Sequence, residues 1–151
     1  MFYFAYGSNT LQEQMFERVG KSKIVGTAKL LDYSLCFQMN GNFKTVANII
    51  PEKDNAVYGV IYDLSKKQEK ILDYYEGVPD IYERKIKEII SKNKNVFCNV
   101  YFLTENYGFD VPDDDYFLKI KKGFLQNKIE FNILKKSYEE SYKKSFKRYE
   151  V

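Results

Sequence analysis

An α+β fold follows from three features of the residue pattern. Strand-like apolar runs fill most of the first two thirds of the chain, the final third carries helical periodicity, and two short helices are set among the strands by their own capping signals. The chain has 151 residues and no composition break, which is enough for one domain with a sizeable core.

The elements are expected in this order. Phe2 to Tyr6 is an apolar run of buried-strand type that stops at Gly7-Ser8-Asn9. A short helix is expected over Thr10 to Arg18, capped by Thr10, which has capping-box spacing to Glu13, or equally by Asn9. Lys23 to Gln38 is strand-rich with a break near Asp32, and Lys44 to Ile50 forms another strand, closed by Pro51 and a polar turn over Glu52 to Asn55. From Ala56 to Leu64 both alternating faces are apolar, with Val57, Gly59 and Ile61 against Tyr58, Val60 and Tyr62, which makes this strand central. Ser65 opens a helix, with Gln68 at capping-box distance and Ile71, Leu72 and Tyr75 at helical spacing. That helix ends at Glu76-Gly77, with Pro79 just beyond. Ile81 to Ile90 and Val96 to Leu103 form a hairpin across the turn from Ser91 to Asn95. One of Asp113, Asp114 or Asp115 starts a helix through Phe124, and a lysine-rich helix runs from about Ile129 to Tyr149.

Composition excludes several function classes. Twenty-four basic against 21 acidic side chains give a net charge of +3, well short of the charge density of a dedicated nucleic-acid binder, so no nucleic-acid partner is expected. The lysines after Lys135 are interleaved with Glu139, Glu140 and Glu150, the mark of a solvated helix face. No apolar run approaches membrane-spanning length and the first segment lacks the basic n-region of a secretory signal, so a cytoplasmic setting without a membrane partner is expected. Cys36 and Cys98 lie within apolar strand-like stretches and are expected to pack in the core. The chain has no histidine. Ser-His triads, Cys-His dyads and most zinc sites are thereby removed, and acid–base chemistry falls to carboxylates, lysines or tyrosines. No metal and no organic cofactor is expected.

A strand that stops at Gly7-Ser8-Asn9 before a helix aims backbone N–H groups at one point, a place for a carboxylate or a developing oxyanion, although such a junction alone is commonly an ordinary turn. Its neighbours give it meaning. Tyr6-Gly7-Ser8-Asn9, Tyr58-Gly59-Val60, Glu76-Gly77-Val78 and Tyr82 occur in an order that resembles the γ-glutamylcyclotransferase family, including its AIG2-like relatives. The resemblance extends to Asp115-Tyr116-Phe117-Leu118-Lys119 and covers most of the first 125 residues. It implies a small mixed β-barrel flanked by helices. It also implies an intramolecular aminolysis in which a γ-glutamyl amine or γ-glutamyl amino acid is cyclised to 5-oxoproline with release of the amine. Carried over residue by residue, Glu76 matches the acid–base carboxylate; Tyr6, Gly7, Ser8 and Asn9 match the substrate-binding loop; Tyr82 and Tyr116 match tyrosines near the substrate. The implied partner is a small γ-glutamyl molecule, and monomer and homodimer both remain open. Thr10 departs from the apolar residue common after the Asn, and the tail after Lys135 has no clear family equivalent.

The residues also bear on Glu76 directly. A carboxylate at the negative end of a helix, among rings such as Tyr74, Tyr75 and Tyr82, loses stabilisation of its charged form, so its pKa should rise towards the range useful to a general base. Without its motif neighbours, a glutamate there would be a solvated helix-end residue, and Tyr82 and Tyr116 could equally be core rings. Arg84 is expected on the outer face of its strand, and Asp73 exposed. A non-catalytic binding module on the same fold is the other reading of these residues.

Overall fold

The structure, a computed structural model, describes residues 1–149. Its elements are β1 (Phe2–Ala5), a 3-10 turn (Ser8–Thr10), α1 (Gln12–Val19), β2 (Lys23–Met39), β3 (Thr45–Asp63), α2 (Lys66–Glu76), β4 (Tyr82–Ser91), β5 (Lys94–Leu103), α3 (Asp114–Gln126), α4 (Phe131–Ser145) and a 3-10 turn (Phe146–Tyr149). The strands close into a barrel in the order β1-β3-β2-β4-β5. All neighbours are antiparallel except β1 and β5, which meet in parallel at Tyr3 and Asn99. A mixed barrel flanked by helices is therefore the observed fold. The hydrophobic core includes Phe4, Phe37, Ile61, Tyr62, Ile89 and Val100, each at most 1% exposed.

Strand β3 is central, as its two apolar faces require: Ile61 pairs with Phe4 on one side and with Gly26 on the other. Two expected features were placed differently. The polar segment Glu52 to Asn55 does not end a strand; β3 runs through it, and β2 runs through Asp32. The register jumps between Leu31 and Tyr33, opposite Ala56 and Pro51. Asp32 and Asp54 both adopt positive φ, 65° and 67°, and the Asp54 N–H donates to Asp32 Oδ1 at 3.1 Å. Turn-forming residues on both strands thus bend the whole hairpin rather than reverse the chain. Beyond the bend, the outer half of the hairpin reaches β5, where Leu103 N–H donates to Asn48 Oδ1 at 3.1 Å. The bend delivers Ala47 to the site described below.

The expected Thr10–Glu13 capping box is also absent. Ser8–Thr10 forms a 3-10 turn, α1 starts at Gln12, and the Thr10 hydroxyl donates to the Gly7 carbonyl at 2.7 Å. Thr10 is fully buried beneath α3, whose Gly123 leaves it room. Helix α2 follows its sequence signals closely. Ser65 and Gln68 form the reciprocal capping box, and Gly77 closes the helix at φ 72°, in the left-handed region that favours glycine. The β4–β5 hairpin turns on Lys92 and Asn93, both at positive φ, and Asp113 caps α3 by accepting from the Tyr116 N–H. Helix α4 begins two residues later than expected and does not merely dangle, since Ser141 Oγ accepts from Phe37 N–H at 2.9 Å. Its outer face carries the Lys135–Glu139 and Lys136–Glu140 pairs, solvated as expected. Glu150, also expected on that face, lies outside the described residues.

Candidate functional site

Where α2 ends against the barrel mouth, a small pocket opens to solvent, lined by Tyr3, Tyr6, Gly7, Ser8, Asn9, Ala47, Glu76, Tyr82, Tyr101 and Tyr116. Every site residue expected from sequence meets in this one hollow, Asn9 and Glu76 from 67 residues apart. The first turn enters at the end of β1 and is locked by the Tyr62 hydroxyl, which donates to the Asn9 carbonyl at 2.8 Å. Gly7 has no side chain because Ala47 crosses it: a Cβ there would sit 3.1 Å from that of Ala47. The Ala47 peptide links the outer hairpin to two rings, with its N–H donating to Tyr116 Oη at 3.0 Å and its carbonyl accepting from Tyr82 Oη at 2.8 Å. Tyr6 donates to the Tyr101 carbonyl at 2.8 Å. Burial pushes the phenols of Tyr3, Tyr6, Tyr82 and Tyr101 well above the ordinary tyrosine range, and that of Tyr116 up to about 12. All five rings are neutral hydrogen-bonding groups at ordinary pH.

Glu76 is the carboxylate at the centre of this ring of phenols, its side chain 15% exposed. Asn9 Nδ2 donates to its Oε1 at 2.8 Å, and Arg18 Nη1 stands 3.7 Å away. Its pKa is raised. The first cause is burial, opposed by the Arg18 charge and the Asn9 hydrogen bond and reinforced by Asp73. The direction agrees with the sequence expectation, but the rings differ: Tyr74 and Tyr75 are 82% and 50% exposed, and the sheltering rings come from the strands and α3. A raised carboxyl pKa means that the native state binds more protons than the unfolded chain between the ordinary glutamate pKa and the raised one. Stability contributed by this group is therefore full at lower pH and lost as pH climbs through that interval. Denaturant titrations of the parent and Glu76→Gln proteins over a pH series should show the parent losing ground to the variant across the interval, with a constant difference above it.

Sequence reasoning missed four contributors. Tyr3 and Tyr101 line the pocket from β1 and β5, Tyr101 donating to Asp73 Oδ1 at 2.6 Å. Asp73, expected exposed, is thus engaged, and it also faces Arg84 Nη1 at 3.5 Å. Arg84, expected on the outer face among the neighbours of Glu83, is exposed but pairs with Asp73 and Glu69 of α2. Gln14 and Arg18 of α1 both donate to Asn9 Oδ1, at 2.9 and 3.0 Å. Their i, i+4 spacing immediately after the loop was the available signal, since such a pair projects from one helix face. Both cysteines are free and buried, Cys36 pushed up to about 12 by burial. Among the described residues, no cluster of three or more His, Cys, Asp or Glu side chains is placed to hold a metal, and no helix is long and apolar enough to cross a membrane.

Residues 3–119 match the family model described as gamma-glutamyl cyclotransferase, AIG2-like. The chain is 32% identical over 136 residues to the γ-glutamylcyclotransferase of Mus musculus, covering 83% of this chain and 70% of that protein. It is 31% identical over 134 residues to the γ-glutamylcyclotransferase of Homo sapiens, with the same coverage. A solved structure of a γ-glutamyl cyclotransferase superposes with a TM-score of 0.81 at 24% identity, covering 91% of this chain and 85% of that one, and so shares the fold. The matched stretch begins at β1 and ends within α3, and so takes in every residue of the pocket: this chain belongs to the γ-glutamylcyclotransferase family, in its AIG2-like branch.

Proposed function

We propose that the protein cyclises a γ-glutamyl amine or γ-glutamyl amino acid to 5-oxoproline, with Glu76 as the acid–base catalyst. The observation that carries this reading is the convergence of one sheltered carboxylate of raised pKa with the Gly7-Ser8-Asn9 turn in a pocket walled by neutral phenols. Glu76 takes a proton from the substrate α-ammonium. The freed amine attacks the γ-carbonyl carbon, a new C–N bond forms, and the carbonyl electron pair moves onto oxygen. As that oxyanion collapses, the bond to the leaving nitrogen breaks, Glu76 returns its proton to the departing amine, and the ring nitrogen sheds its second proton to the freed amine or to solvent, leaving the single lactam N–H. No external reactant is needed.

The first amides of a helical turn have no partner within the turn, so the Gly7-Ser8-Asn9 segment supplies donors for the substrate's negative charge. Tyr6 is held by the Tyr101 carbonyl and shapes the floor, while Tyr82 and Tyr116 frame the γ-carbonyl from the Ala47 side. The pocket is small and open to solvent, and the leaving amine projects out of it. The decisive assay is 5-oxoproline release from a panel of γ-glutamyl amines, γ-glutamyl dipeptides and glutathione. Stoichiometric release of 5-oxoproline and amine from at least one of them is expected. Thermal stabilisation by these compounds with no turnover would instead establish a binding module.

A further inference from the structure

We propose that Arg18 is a positioning residue of this site: from behind the pocket wall it fixes the orientation of the Asn9 amide and faces the Glu76 carboxylate with a permanent cation. The proposal rests on the reading of Glu76 as acid–base catalyst. Arg18 is not among the pocket-lining residues, so it acts through groups that are. Its guanidinium meets three of them or their neighbours at once: Nη1 donates to Asn9 Oδ1 at 3.0 Å and stands 3.7 Å from Glu76 Oε1, and Cζ lies 5.4 Å from the centroid of the Tyr75 ring. The half-exposed Tyr75 thus serves as a platform for the arginine.

The chemistry of these partners leaves one arrangement. A guanidinium only donates and a carboxylate only accepts, so an amide between them must turn its oxygen to the arginine and its NH2 to the glutamate. Gln14 Nε2 supplies a second donor to the same oxygen at 2.9 Å, and the Asn9 NH2 spends its two hydrogens on Glu76 Oε1 at 2.8 Å and Tyr3 Oη at 3.0 Å. Asn9 therefore acts as a polar spacer whose direction Arg18 sets, and one carboxylate oxygen is held while the other is left for substrate. Around Glu76 the remaining titratable groups are Asp73 on its own helix, Tyr3 from β1, Tyr6 just after it, Tyr82 from β4, Tyr101 from β5 and Tyr116 from α3. Arg18 is the cation within this set, and it offsets part of the upward push that burial gives the carboxyl.

The test uses Arg18→Gln, which keeps a donor for Asn9 without the charge, and Arg18→Lys, which restores the charge without the planar fork. Two quantities are read on the full-length protein: the pH dependence of kcat/KM for γ-glutamylalanine, and the titration of Glu76 by 13C NMR of δ-13C-glutamate-labelled protein, its resonance identified by its loss in Glu76→Gln. The Glu76 midpoint is expected to move to higher pH in Arg18→Gln and to return towards the parent in Arg18→Lys. The acid limb of kcat/KM should move with it, so that activity is lost below the limb and recovered above. A folded Arg18→Gln protein whose Glu76 titrates as in the parent overturns the proposal. If the parent releases no 5-oxoproline from any γ-glutamyl compound, the cyclisation reading fails, while the NMR titration still decides the role of Arg18.

Discussion

Glu76→Gln is expected to reduce 5-oxoproline release by at least about 10²-fold in kcat while leaving the fold intact, the loss typical of removing a positioned general acid–base. The substitution preserves shape. Glutamine keeps an oxygen to accept from Asn9 Nδ2, now 2.8 Å from Glu76 Oε1, and removes a charge from a site where burial disfavours it. The melting temperature at neutral pH should accordingly stay at or slightly above that of the parent. What the variant lacks is a group that can take a proton from the α-ammonium and hand it to the leaving nitrogen. Turnover by Glu76→Gln within a few-fold of the parent, across the γ-glutamyl panel, would remove this carboxylate from the chemistry.

The largest expected loss of stability belongs to Gly59→Ala, about 3 kcal/mol and enough to lower the denaturation midpoint severely. Gly59 is buried in the central strand β3. A Cβ there would land on the Ala5 carbonyl oxygen of β1, with Phe4 Cε1 at 2.9 Å and the Ala5 carbonyl carbon at 3.0 Å. Backbone oxygen cannot swing aside as a side-chain tip can, so the strain must part β1 from β3 or displace Phe4, which is fully buried. Since β1 carries the Gly7 turn directly into the pocket, activity should fall along with stability. Urea denaturation of Gly59→Ala measures the first effect, and 5-oxoproline release at a temperature where the variant is folded measures the second. A variant as stable as the parent would show that the barrel yields here more easily than its packing allows.

Much of the architecture was legible because its signals are local. Ser65, Gln68 and Gly77 mark both ends of α2, Asp113 caps α3, and the alternation on either side of Lys92-Asn93 forms a hairpin. Each depends on a few neighbouring residues, and tertiary contacts agree with them. Asp32 and the segment Pro51 to Asn55 were misread for a definite reason. Residues at positive φ serve a chain reversal and a strand bend equally well, and only the partner strand, continuing past Asp32 opposite Asp54, distinguishes the two. Thr10 was misassigned as a cap because its hydroxyl, free to satisfy a helix amide, instead closes the 3-10 turn under Gly123 of α3.

The site divides along the same line. Which residues meet in the pocket could be named from residue order, because Tyr6-Gly7-Ser8-Asn9, Glu76, Tyr82 and Tyr116 keep their types and succession whatever the fold does with them. How they are placed was decided only by the tertiary structure: that Glu76 is sheltered by Tyr3, Tyr101 and Tyr116 and not by the adjacent Tyr74 and Tyr75, that Ala47 arrives through a bent hairpin, and that Arg18 reaches Asn9 from behind. A helix places consecutive residues on different faces, and a barrel brings together strands distant in the chain. Desolvation and charge contact, which set a carboxyl's proton affinity, are properties of that three-dimensional neighbourhood.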